Sequence, residues 1–110
     1  MDKFDETLLS VIDEVLLLIL GANSVKIIYN YLESMSLPKH EIPSQLDKFS
    51  KELRKLLGDN TNLNLSPAYM LEVAIVKHLC GKLNLQMKST SPIKFSVTIQ
   101  EIKEHLQSET

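Results

Sequence analysis

The chain has 110 residues, of which 44% are hydrophobic and 24% charged, and its formal net charge is −2. This length fits one domain, and the apolar content is sufficient for a core. A single cysteine excludes an intrachain disulfide and a multi-cysteine zinc site, and it favours a reducing environment. The slightly acidic balance gives little electrostatic support for sequence-independent nucleic-acid binding.

No segment of the sequence predicts membrane insertion or export. The longest uninterrupted apolar run, Val15 to Leu20, is six residues long, against about 20 for a transmembrane helix. The residues before it carry five acids and one lysine, the opposite of the basic start of a secretory signal. We therefore expect a cytoplasmic protein with no membrane contact.

Two helices are predicted on either side of Gly21. The first, residues 3–20, follows Asp2 as its N-cap, and the second, residues 24–35, starts from Asn23 or Ser24. Their apolar residues recur at spacings of three and four, as on a core-facing helix side. These residues are Leu8, Leu9, Ile12, Val15, Leu16 and Ile19 in the first helix and Val25, Ile27, Ile28, Tyr31, Leu32 and Met35 in the second.

A third helix is predicted after a proline-bracketed connector. Pro38 and Pro43 enclose Ile42, which we expect to insert into the core from the connector. Ser44 and Asp47 have the spacing of an N-terminal capping box. The apolar side of this helix is formed by Leu46, Phe49, Leu53 and Leu56, and Gly58 ends it.

The fourth helix, residues 67–84, is predicted to be central in the fold. It starts at Ser66-Pro67, an N-cap followed by proline in the first turn. Residues 70–76 are apolar except for Glu72, which is typical of a helix surrounded by others. Cys80 is expected to be a small buried hydrophobe.

The last part of the chain loses the helical period. Ile93, Phe95 and Val97 alternate with polar residues, which predicts a short extended segment near residues 86–97. Thr98 and Glu101 then form a capping box for a short final helix.

Together these elements predict a single all-α domain of about five helices, orthogonal or bundle-like. Its core lies in residues 3–84, and residues 86–110 form a C-terminal extension.

The order of apolar residues and helix stops over roughly residues 7–84 is similar to that of a known protein family. The residues concerned are Leu9, Ile12, Val15, Leu20-Gly21, Ile28-Tyr29, Leu32-Glu33, Glu41-Ile42-Pro43, Leu46, Phe49, Leu53, Leu56-Leu57-Gly58, Ile75 and Leu79. This order resembles a small archaeal family, the Nitrosopumilus-type output domain of signalling proteins. The resemblance implies an intracellular all-α domain that works beside sensory machinery and has no catalytic residues to carry over. The loop at residues 59–66 and residues 86–110 depart from the family pattern.

We assign no residue to catalysis, to a cofactor or to a metal. His78 and Cys80 are two residues apart and therefore point to different sides of a helix, so they cannot share a metal ion. Glu101 and His105 are four apart, the spacing of an ordinary surface pair. We therefore predict a protein without enzymatic activity and without a cofactor.

The outer side of the third helix is a candidate interaction surface, here called the α3 basic face. Its members are Lys48, Lys51, Arg54 and Lys55. A helix, a connector and a basic helix superficially imitate a winged-helix DNA-binding regulator, with residues 93–97 as the wing. Against DNA binding, Asp47 has the i,i+4 spacing to pair with Lys51, and Lys48 has it with Glu52. The connector also lacks the tight turn of a helix-turn-helix.

The leading hypothesis is a protein–protein interaction or signalling output module. A small bundle has few places to cover the two apolar stretches, Val15 to Leu20 and Met70 to Val76. Either the bundle surrounds both, or one of them contributes to a homodimer interface. The expected dimer contacts are Leu17, Leu18 and Leu20.

A small-ligand-binding protein is the other alternative. Its pocket would be lined by Tyr29, Tyr31, Tyr69 and His78. Tyrosines more often pack at the rim of a core with their hydroxyl near water.

Overall fold

The computed structural model describes residues 2–58, 66–86 and 94–108, and in these ranges the chain is helical with no strand. The predicted all-α fold is confirmed. The elements are α1 (Lys3–Leu20), α2 (Ala22–Ser34), a 3-10 helix (Lys39–Ser44), α3 (Leu46–Leu57), α4 (Pro67–Lys82) and α5 (Phe95–Ser108). None of the helices in the described ranges is long and apolar enough to cross a membrane.

One residue, Gly21, links α1 to α2. Asp2 caps α1 as predicted, because its carboxylate accepts a hydrogen bond from the Asp5 backbone N–H at 2.8 Å. Gly21 has a φ of 84°, a left-handed conformation that glycine adopts without a steric penalty. α2 starts directly afterwards at Ala22, earlier than predicted, without a side-chain cap. It folds back along α1, so that the Tyr29 hydroxyl reaches Asp13.

The predicted capping box at the start of α3 is wrong. Ser44 is the last residue of the 3-10 helix, and its hydroxyl donates to the Glu41 carbonyl at 2.9 Å. Gln45 occupies the N-cap position and makes no side-chain cap bond. Ile42 is fully buried, which confirms its predicted insertion into the core.

α4 is the central helix, and it packs against α1, α3 and α5. Ser66 caps it as predicted, accepting a hydrogen bond from the Tyr69 backbone N–H at 3.2 Å. Cys80 is buried and free, as expected.

The predicted extended segment is wrong for residues 95–97, which form the first turn of α5. Phe95 and Ile99 are four apart and both buried, a pairing that a helix permits, whereas Val97 is exposed. Thr98 lies inside the helix and donates its N–H to the Lys94 carbonyl at 2.9 Å, so it is not a cap. The remainder of the predicted segment, except for Gln86 and Lys94, lies outside the described residues.

The core joins all five α-helices and the 3-10 helix. Phe49 of α3 and Phe95 of α5 meet in it, with ring centroids 5.9 Å apart. Its other fully buried large side chains are Leu8, Ile12, Leu16, Ile28, Leu32, Leu37, Ile42, Leu53, Ile75 and Leu79.

Candidate interaction surface

Apolar side chains are exposed on both sides of the Gly21 link. In the last turn of α1, Leu17 is 53%, Leu18 81% and Ile19 53% exposed, and in α2 Ile27 is 61% exposed. Successive residues of an α-helix are about 100° apart, so three consecutive exposed residues open more than half of the circumference to water. We call Leu17, Leu18, Ile19 and Ile27 the α1–α2 corner.

The corner agrees only in part with the sequence-predicted residues. Leu17 and Leu18, the expected dimer contacts, are exposed, whereas Leu20 is half-buried and packs against the core. Ile19 and Ile27 were expected to face the core, and that prediction is wrong. The spacing of α1 continues regularly to Ile19, but no other element covers this side of its last turn.

A third expected core residue of these helices is also exposed. The apolar spacing of the second helix predicts that Met35 faces the core, but Met35 is the C-cap of α2 and its side chain is 41% exposed. A residue at the cap leaves the helical path, so the spacing no longer fixes which side it faces.

The α1 part of the corner, Leu17 to Ile19, lies in a stretch without ionisable side chains. From Val15 to Val25 the sequence contains no acid, lysine, arginine or histidine. The preceding acid, Glu14, is held towards α4, where it pairs with Lys82 at 2.9 Å and His78 at 2.8 Å. The hydrogen bond from Lys82, followed by that from His78, lowers the pKa of Glu14 to about 2. The charge that precedes the α1 part of the corner is therefore balanced within the protein, whereas on the α2 side the exposed Lys26 stands directly before Ile27.

The α3 basic face is partly neutralised by the protein itself. Arg54 bonds the Glu72 carboxylate at 3.2 Å, and Lys55 bonds Glu52 at 3.3 Å. The predicted i,i+4 pairs do not form, because Glu52 instead accepts hydrogen bonds from Lys55 and, at 2.9 Å, from the Tyr31 hydroxyl. Lys48 and Lys51 remain as the cations of this face without an ion pair among the described residues.

Two further observations concern the DNA-binding alternative. Asp47, predicted to pair with Lys51, accepts a hydrogen bond from the Ser96 hydroxyl at 2.5 Å. Phe95–Val97, part of the proposed wing, is helical. The charge pairs that argued against DNA binding are therefore not formed. The wing that argued for it is not formed in residues 95–97 either.

Two of the tyrosines proposed for a ligand pocket bond different acids. The Tyr29 hydroxyl donates to Asp13 at 2.5 Å, and the Tyr31 hydroxyl donates to Glu52. Burial raises the pKa of Tyr29, and the bond to Asp13 adds to the effect. His78 is on the surface with Glu14. A shallow groove of about 410 Å³ runs between the start of α3 and α5, and neither His78 nor any of the three tyrosines lines it.

A buried carboxylate lies where α3 packs on α4. Glu72 is fully buried, and its Oε2 accepts the Arg54 bond, whereas its Oε1 has no hydrogen-bond partner. The Ser50 hydroxyl of α3 is also buried and lies near the Glu72 carboxylate without reaching ordinary hydrogen-bond geometry. Burial raises the pKa of Glu72, and the Arg54 charge and the Ser50 hydroxyl offset this only in part. In the sequence, Glu72 is recognisable only as a single acid within an apolar helix.

No group of three or more histidine, cysteine or acidic side chains that could hold a metal ion occurs in the part of the chain that the structure describes. Glu101 and His105 lie on the exposed side of α5. No family model, no curated protein and no solved structure matches this chain.

Proposed function

We propose that this protein is a non-catalytic interaction module that acts as a symmetric dimer joined through the α1–α2 corner. The observation that carries the proposal is the concentration of exposed apolar side chains. Seven large hydrophobic residues are exposed in the described ranges, and four of them form the corner. Single exposed hydrophobic residues are ordinary, whereas three consecutive ones, as at Leu17 to Ile19, are typical of an interaction site.

Burial of the corner is energetically favourable. Fully burying one leucine or isoleucine side chain is worth about 1.5–3 kcal/mol. A stable interface also needs surrounding contacts, since typical interfaces bury about 1,200–2,000 Å² in total. The corner is suited to the centre of such an interface, where desolvated apolar anchors dominate the binding energy.

A second copy of the chain is the partner that fits the charge pattern. In a twofold dimer the same surface meets itself, so any charge at its centre would face a like charge. The uncharged stretch from Val15 to Val25 avoids this repulsion around Leu17, Leu18 and Ile19, so these residues would lie at the centre and Lys26 nearer the rim. By contrast, the first turn of α1 carries the exposed Glu6, which would face a like charge in a symmetric contact there.

The biological role that we propose is signalling output, as the resemblance over residues 7–84 implies. Dimerisation is a simple way for such a module to transmit a state, because association couples the two copies. This role needs an interface rather than a catalytic centre.

Light scattering on matched variants tests the proposal. The wild type at high micromolar concentration should have twice the 12.5 kDa mass of one chain, and Leu18→Glu should have the mass of one chain. Val97→Glu is the control, since it places the same charge on an exposed apolar position of α5, and it should remain dimeric. A monomeric wild type, or a Leu18→Glu variant that is still dimeric, would overturn the proposal.

A further inference from the structure

The two acids of α3 serve contacts with neighbouring helices. Asp47 accepts a hydrogen bond from the Ser96 hydroxyl of α5. Glu52 is buried and accepts one from the Tyr31 hydroxyl of α2. On a surface helix, an acid three or four residues from a lysine ordinarily balances the charge of that lysine. Because the acids of α3 are engaged elsewhere, the lysines on its outer side keep most of their charge unbalanced.

Three lysines form a row along the outer side of α3, here called the lysine row. Lys48, Lys51 and Lys55 are spaced by three and four residues, so they share one side of the helix over about 10 Å of its axis. Lys55 reaches back to Glu52 at 3.3 Å, but its side chain is 56% exposed. Lys48 and Lys51 have no ion pair in the part of the chain that the structure describes.

The groove between the start of α3 and α5 adjoins the lysine row at Lys48, which is part of the groove lining. The other polar side chains of the lining already form hydrogen bonds within the protein; they are Ser44, Gln45, Asp47, Ser96 and Gln100. The Lys48 ammonium group is therefore the polar group of this groove that has no hydrogen-bond partner within the described ranges. An unsatisfied cation favours an anionic side chain as the occupant.

An acidic helix matches the charge and the spacing of the lysine row. Acids spaced by three and four residues lie on one side of a helix, as the lysines do. Nucleic acid matches less well, because its affinity grows with the number of phosphates that are neutralised. Three lysines beside the Asp47 carboxylate, in a chain of net charge −2, neutralise few phosphates. A second copy in a twofold contact would place the lysine row against itself.

We propose that the lysine row and the adjoining groove are the docking site for an acidic helical segment of a partner protein. One carboxylate of the segment bonds Lys48 at the groove, and carboxylates further along the segment bond Lys51 and Lys55. The site involves α3 rather than the α1–α2 corner, so the proposal does not rest on dimerisation.

NMR titration of the whole ¹⁵N-labelled protein tests the docking site. The probe is a synthetic peptide of about 15 residues, long enough to form a helix, with glutamates repeated at spacings of three and four along one side. The expected result is a saturable shift of the backbone signals of Lys48, Lys51 and Lys55. Binding should weaken as added salt screens the charges. A control peptide of the same composition, with its glutamates spread around the helix, should bind more weakly.

Two charge reversals at exposed lysines form a matched pair. Lys51→Glu places a carboxylate in the middle of the lysine row, and it should weaken peptide binding at least about tenfold, because like charges then face each other. Lys77→Glu makes the same change on the exposed side of α4, and it should leave peptide binding unchanged. Binding should also be unchanged in Leu18→Glu, which tests dimerisation separately.

The proposal would be overturned by the absence of a saturable shift at millimolar peptide, or by equal peptide binding in Lys51→Glu and Lys77→Glu. Binding that does not weaken with added salt would also overturn it, and this measurement on the wild type decides even if a variant does not fold. A DNA duplex that binds the lysine row more tightly than the peptide would overturn the acidic partner in favour of a nucleic acid.

Discussion

The α1–α2 corner and the α3–α4 contact depart from ordinary burial in opposite directions. The corner leaves Leu18 in water, whereas the contact encloses the carboxylate of Glu72. An exposed leucine costs the isolated chain little, and it provides binding energy when a partner arrives. A buried carboxylate must instead be compensated inside the fold by a cation or a proton. The first departure thus concerns association, and the second concerns the internal balance of charge.

The largest expected effect is the difference in the free energy of unfolding between replacing a buried leucine and replacing an exposed leucine of α1. Leu16 is fully buried and Leu18 is mostly exposed. We expect Leu16→Ala to lower the free energy of unfolding by about 2–5 kcal/mol, because it leaves a cavity. Leu18→Ala should change it by less than about 0.5 kcal/mol. Urea unfolding, at a dilution where both variants are monomeric, measures the difference, and equal costs would contradict the assigned burial.

The next effect concerns the pH dependence that Glu72 causes. Because its pKa is raised, the folded state holds the proton more tightly than the unfolded state. Its contribution to stability is therefore complete below pH 4.5 and is lost as the pH rises through the folded pKa. The slope from one proton is at most about 1.4 kcal/mol per pH unit.

Glu72→Gln should remove this slope, whereas Glu52→Gln should retain it. Denaturant unfolding of both variants and of the wild type, at intervals between pH 4.5 and 8, provides the measurement. A wild-type slope that Glu72→Gln leaves intact would assign the titration to another group.

A smaller effect is expected at the α1–α2 packing below the corner. The Tyr29 hydroxyl donates to Asp13, which also pairs with Lys39. Tyr29→Phe should lower the free energy of unfolding by about 0.5–1.5 kcal/mol, the net value of one hydrogen bond. Thermal or urea unfolding would show it, and the dimer mass should not change, since the ring remains in place.

The smallest effect is expected for Glu14, because its ion pairs with His78 and Lys82 are exposed. Its pKa is lowered to about 2, so its contribution is present above pH 4.5 and is lost as the pH falls towards 2. Glu14→Gln should weaken the acid-side loss of stability, and added salt should weaken it in the wild type. If the variant loses stability at low pH as steeply as the wild type, that result would be evidence against these ion pairs.

Helix positions could be predicted from the sequence because apolar spacing and caps are local signals. Asp2 and Ser66 cap α1 and α4 as expected. The prediction of an extended segment at Phe95 and Val97 was wrong because a short alternating run of apolar residues fits both a strand and a helix. The prediction of Ser44 as the cap of α3 was wrong because the preceding proline-containing segment forms a 3-10 helix that extends through Ser44.

The candidate surfaces were less predictable because they depend on distant partners. Ile19 continues the regular spacing of α1, and only the arrangement of the other helices leaves it exposed. Arg54 and Glu72 are 18 residues apart, so no local pattern links them. The one available signal was Glu72 itself, a single acid within an apolar run.

Intermolecular contacts of Leu18 test the central claim most directly. In a mixed sample of ¹³C-labelled and unlabelled chains, isotope-filtered NOE spectra report only contacts between the two copies. The expected result is a set of intermolecular contacts from the Leu18 methyl groups to Leu17, Ile19 or Ile27 of the partner copy. Their absence at high micromolar concentration, or intermolecular contacts at Val97 instead, would contradict dimerisation through the α1–α2 corner.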